Sequence, residues 1–97
     1  MPSDGVPENA GVKIVDEVTV DVTSLTNTGA EPYSTWTDES GVDVLDSIVV
    51  IGQEEDDQIL IPDHQNDQFH VVAVSDGTDV TSGADIGEVR VRLEGRR

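Results

Sequence analysis

GEVRVRLEGRR, residues 87–97, alternates along its length: Val89, Val91 and Leu93 fall on one side of an extended chain, Arg90 and Arg92 on the other. That two-residue period marks a strand with one buried and one wet face. The same stretch holds four of the five basic side chains in a molecule whose formal net charge is -16. One segment therefore bears on both fold and function.

The pattern recurs outward from this segment. Within Val12 to Leu25, Val18, Val20 and Val22 alternate with Thr19, Asp21 and Thr23, which predicts another strand with one wet face. TNTGAEP, residues 26–32, reads as a turn cluster. Tyr33 to Thr37 is expected to form a short strand before the acidic loop 38–41. Val42 to Ile51 passes from alternation into the run IVVI, the pattern of a strand covered on both faces. Ile59 to Ile61 is a short strand that Pro62 stops, and proline disfavours a central place in a sheet. Phe69 to Val74 is a further strand, and Asp76-Gly77 is a tight-turn signal. No helical stripe lasts three turns. Short strands joined by Gly, Asn and Asp turns predict an all-β fold, a small antiparallel β-sandwich or barrel.

Ninety-seven residues support one core, so 12–97 is expected to be a single β domain with a basic C-terminal end. Residues 1–11, MPSDGVPENAG, have two prolines and no periodicity and read as an extended N-terminal arm. The arm has neither the basic start nor the apolar run of an export signal, and none is expected. No apolar run exceeds the length of Ile48 to Ile51, too short to cross a bilayer, so no membrane role is expected.

Twenty-one acidic residues face five Lys and Arg. In about 0.1 M salt, where screening extends about 10 Å, these carboxylates repel one another across a small domain; near 1 M the length falls to about 3 Å. The composition is therefore that of a protein built for brine. A duplex nucleic acid would be repelled by the same charge and is not an expected partner.

Candidate chemistry is sparse. There is no cysteine, which removes disulfides and thiolate metal sites. His64 and His70 lie near Asp63 and Asp67 but match no zinc spacing and read as surface histidines. Glu54 to Asp57 and Asp76 to Asp79 read as solvated acidic loops, with no alternating-acid loop of the calcium-binding kind. No metal and no cofactor is expected. Trp36 reads as core and not as a sugar platform, since an extended segment would turn Tyr33 and Trp36 to opposite faces. Without a nucleophile elbow or a phosphate-binding glycine loop, no catalytic residues are assigned, and the chain is expected to be non-enzymatic. Arg90, Arg92, Arg96 and Arg97 read as one cationic edge, with Arg96 and Arg97 beyond the final strand. This edge suits an acidic protein surface, because arginine forks pair well with carboxylates. The competing use is pairing with carboxylates of an adjacent strand.

This build resembles the small virion proteins of tailed viruses, above all the decoration (cement) proteins that clamp neighbouring capsid subunits. The aspartate-rich, lysine-poor composition is similar to that of haloarchaeal and haloarchaeal-virus proteins. The resemblance implies a halophilic host in whose cytoplasm particles assemble, and a place in the virion capsid. It implies as partner the major capsid protein or another virion subunit, and a homo-oligomer, a trimer being favoured. It also implies that the arm, including Val6 and Pro7, and the arginines Arg90, Arg92, Arg96 and Arg97 face the capsid. A head-tail connector or tail component is the nearest alternative. An Ig-like cell-surface binding domain is a further one, against which stand the missing export signal and the lack of an N-x-S/T sequon at Asn9, Asn27 and Asn66.

Overall fold

The computed structural model describes residues 12–97. The arm read at residues 1–11, with Val6 and Pro7, lies outside the described residues. Six strands and one short helix follow: β1 (Lys13–Val22), β2 (Ala30–Pro32), α1 (Ser34–Thr37), β3 (Val44–Gln53), β4 (Gln58–Asp63), β5 (Gln68–Ala73) and β6 (Gly87–Arg96). They form two three-stranded antiparallel sheets, ordered β1-β6-β3 and β2-β5-β4. The chain is all-β.

The opening stretch takes the centre of the first sheet. In β6, Val89, Val91 and Leu93 are fully buried while Arg90, Arg92 and Arg96 are exposed. β1 pairs with β6 along its whole length, Lys13 opposite Arg96 and Val22 opposite Gly87. Its inward residues, Val18 and Val22, join Ile48 of β3 and Leu60, Phe69 and Val71 of the second sheet in one core. Both sheets thus bury one face against each other, and their outer faces look away from that core.

Beyond the turn read at residues 26–32, whose end forms β2, four sequence readings change. The segment Tyr33 to Thr37 is not a strand, because its middle forms α1. A helical turn puts residues three apart on one side, so Tyr33 and Trp36 both reach Phe69, edge-on, at ring separations of 4.9 and 5.2 Å. An extended chain would have left one of these rings in water. Second, β3 is not covered on both faces: Val49 and Ile51 are 48% and 45% exposed. β3 is an edge strand whose outer face nothing packs upon among the described residues, so the IVVI run combines two apolar faces and does not mark burial. Third, β4 runs through Pro62, which pairs with Phe69; an edge strand accommodates proline because its outward N–H is not needed. Fourth, Arg96 does not hang beyond the last strand, since β6 continues to it.

That continuation requires Gly95. A Cβ there would overlap the Val44 carbonyl oxygen and stand 2.6 Å from a Val42 methyl, so only glycine admits β3 at this distance. The Asp76-Gly77 turn forms as read, with Gly77 at φ +71.

Candidate functional site

The arginines stand on the middle strand of the first sheet, so they form a column on its outer face and not an edge. Cross-strand register sets their neighbours. Arg96 lies between Lys13 and Val44, Arg92 between Glu17 and Val49, and Arg90 between Thr19 and Gly52. Arg90 to Arg96 span about 20 Å at the usual rise per residue. Exposed Val15 and Val44 share this face, and Ile51 stands beside it at a β-bulge. The result is a strip in which the guanidinium groups alternate with carboxylates, Glu88 and Glu94 on β6 and Glu17 and Asp21 on β1, and exposed aliphatic side chains stand on both flanks.

Charge sorting follows from the topology. Between Lys13 and Arg90 the sequence has no Lys or Arg, and register puts Lys13 beside Arg96. Four of the chain's five basic side chains thus share one face, and the fifth, Arg97, directly follows it. The second sheet and the connecting loops have none.

Within this face, Arg90 is paired with Glu17, Arg96 with Asp46 at 3.3 Å, and Lys13 with Glu94 at 3.4 Å. The intramolecular use anticipated for the arginines therefore holds for Arg90 and Arg96. All these side chains are substantially exposed, and such pairs contribute about 0–1 kcal/mol. An incoming carboxylate can exchange with them at little loss. Arg92 and Arg97 have no ion-pair partner among the described residues.

The column is held from behind. Trp36 is fully buried, and its indole N–H donates to the Val89 carbonyl, one residue from Arg90, at 3.0 Å. Trp36 is core, as read. Glu31 was hidden inside a turn-like segment, yet it is 2% exposed on β2. Its carboxylate accepts from the Thr26 N–H at 2.8 Å, the Thr26 hydroxyl at 2.7 Å and the Thr35 hydroxyl. Those donors replace the water that a buried carboxylate loses and tie β2 to α1. The only sequence signal for it was a lone Glu with Thr26 before it and Thr35 after it along the chain.

The remaining candidates lie elsewhere. His70 Nε2 is 3.0 Å from Asp63 Oδ2, and His64 Nδ1 is 3.1 Å from the Tyr33 hydroxyl, whose ionisation burial pushes upward. The Asn66 side-chain amide, donating to Asp63 at 2.9 Å, holds that carboxyl below its ordinary value, with a smaller contribution from His70. The Thr78 hydroxyl does the same for Asp76. Among the described residues, no three His or acidic side chains converge as metal ligands. A shallow groove of about 640 Å³ between α1 and the start of β3 is lined by Tyr33, Ser34, Thr37, Asp43, Leu45 and Asp67 among others. Its β3 end includes Val44, which pairs with Arg96, so the groove adjoins that end of the arginine column.

No protein-family model matches the chain, and no match is found among characterised proteins or solved structures.

Proposed function

We propose that this chain is a non-enzymatic structural protein of a virion that assembles in a halophilic host, and that it decorates and stabilises a capsid lattice. The outer face of the first sheet is its docking surface. What carries this reading is the gathering of Lys13, Arg90, Arg92 and Arg96 with exposed Val15, Val44 and Val49 on one side of a molecule of net charge -16. Exposed aliphatic side chains between forked cations fit a partner surface that is itself acidic and partly apolar. Subunits adapted to the same brine present such a surface. The resemblance in build identifies the major capsid protein, or another virion subunit, as that partner and a trimer as the expected form.

Binding here requires no chemistry. Burial of the valines supplies the attraction, and each arginine that exchanges Glu17 or Asp46 for a partner carboxylate fixes register. High salt screens the repulsion between two acidic bodies while leaving contact pairs and apolar burial in place.

Particles purified from the native source will contain the chain in many copies. The variant Arg90→Glu/Arg92→Glu will enter them at least about tenfold less, while its far-ultraviolet circular dichroism stays that of wild type. Absence of the chain from particles, or undiminished uptake of the variant, contradicts the proposal.

A further inference from the structure

Among the described residues the two sheets end in four edge strands, β1 and β3 on the first and β2 and β4 on the second. An edge presents unpaired backbone groups to any other strand, and proteins blunt it with short strands, bulges, proline or charges turned inward. Three of the four carry such a device. β2 is three residues long and ends in Pro32, β3 has register shifts at Leu45/Ser47 and Val50/Gly52, and β4 contains Pro62. β1 runs ten residues with neither proline nor bulge.

What β1 has instead is Asp16. Ile14, Val18, Val20 and Val22 turn toward the core, and Asp16 is the one charged side chain in that row. The direction of the backbone groups follows from β6. The Glu88 and Arg96 carbonyls accept from the Glu54 and Asp43 N–H groups, so even-numbered residues of β6 bond toward β3 and odd-numbered ones toward β1. Their partners in β1 include Ile14, Asp16, Val18 and Val20, which leaves the N–H groups of Val15, Glu17 and Thr19 pointing out of the open edge. Asp16 takes up one of them: its Oδ1 accepts from the Glu17 N–H at 3.0 Å, and its Oδ2 accepts from the Gly41 N–H at 3.3 Å.

We propose that Asp16 keeps β1 from pairing with β1 of a second copy of this chain. An antiparallel two-fold pairing centred on Val18 would set Ile14 opposite Val22, Glu17 opposite Thr19 and Val15 opposite Asp21, with no like charges facing. Residue 16 falls opposite Val20, and the Glu17 N–H would go to the Thr19 carbonyl of the other copy. The Asp16 carboxylate opposes both contacts. It sets a charge in an otherwise aliphatic row, and it holds the N–H that the incoming strand needs. At high salt such a block is required, because near 1 M the repulsion between two bodies of charge -16 reaches only about 3 Å. This role is independent of what the outer face of the sheet binds.

Sedimentation velocity and amide exchange of the full chain in about 1 M salt test it. Asp16→Val completes the aliphatic row and frees the Glu17 N–H. Its weight-average mass will double relative to wild type as concentration rises, and its Val15 and Thr19 amides will exchange at least about tenfold more slowly. Adding Thr19→Pro removes an N–H that the β1–β6 ladder does not use and will restore the wild-type mass. In wild type itself, protection of the Glu17 amide will exceed that of Val15 and Thr19 by at least about tenfold, the effect of its bond to a carboxylate. Wild-type mass in a folded Asp16→Val chain, a doubled mass that survives Thr19→Pro, or a Glu17 amide no better protected than its edge neighbours overturns the proposal.

Discussion

Replacing Trp36 by Phe removes the one hydrogen bond that pins α1 to the strand bearing the arginines. The indole is 0% exposed, donates to the Val89 carbonyl at 3.0 Å, and meets Phe69 edge-on at 5.2 Å and 88°. Phenylalanine keeps an aromatic ring for Phe69 but takes the indole donor from the Val89 carbonyl, at about 0.5–1.5 kcal/mol. The space left by the shortened ring adds about 1 kcal/mol. The sum, about 1.5–2.5 kcal/mol, is a sizeable share of the roughly 5–15 kcal/mol that holds a domain of this size. At about 4–8 °C per kcal/mol, melting is expected to fall by roughly 6–20 °C. Because Trp36 is the only tryptophan, the assay is thermal melting by far-ultraviolet circular dichroism at fixed high salt. Wild-type Trp36 fluorescence independently reports its burial. A loss below about 0.5 kcal/mol, the range of neutral surface changes, would refute the reasoning that this bond and ring anchor β6.

Three further outcomes follow from the same contacts. Gly95→Ala forces a methyl into the Val44 carbonyl oxygen, so stability will fall by about 1–3 kcal/mol, and amide exchange will quicken at the β3–β6 end around Arg96; wild-type exchange there counts against the close approach. Glu31→Ala leaves the Thr26 N–H and the Thr26 and Thr35 hydroxyls without their acceptor; urea titration will show a loss of about 3 kcal/mol, and a change under about 1 kcal/mol means these groups find water instead. In acid, Asp63 and Asp76 matter because the fold lowers both from 3.8. Their contribution is present above that value and disappears as pH falls through the lower folded one. Asp63→Asn/Asp76→Asn will therefore show a shallower loss of melting temperature below about pH 4 than wild type, and an identical acid profile would contradict those hydrogen bonds.

Much of the fold is legible in residue order. The alternation in β1 and β6 shows which side chains point inward, and Pro62 does mark an edge strand. What escaped depends on elements too short to have a period. α1 is four residues long and is stabilised by where Tyr33 and Trp36 land on Phe69, not by helical propensity. β2 looked like a turn because its reason to extend, the buried Glu31 carboxylate, becomes visible only once Thr26 and Thr35 are folded around it. The site was half legible for a similar reason. Alternation puts Arg90 and Arg92 on one face, but strand order brings Lys13, Val44 and Val49 beside them, and the spacing of charges along a chain does not encode strand order. The run IVVI shows the converse error, since four apolar residues at an open edge read like four in a buried strand.

The central claim is that the arginine column of the first sheet is a contact surface. Arginine-selective chemical labelling, read residue by residue on purified particles and on the free chain at the same salt concentration, tests it most directly. Arg90 and Arg92 are expected to react freely in the isolated protein and to be protected in the particle, while the exposed histidine His70 on the other sheet, probed with a histidine-selective reagent, serves as the reference. Equal arginine reactivity in the two states would contradict the claim.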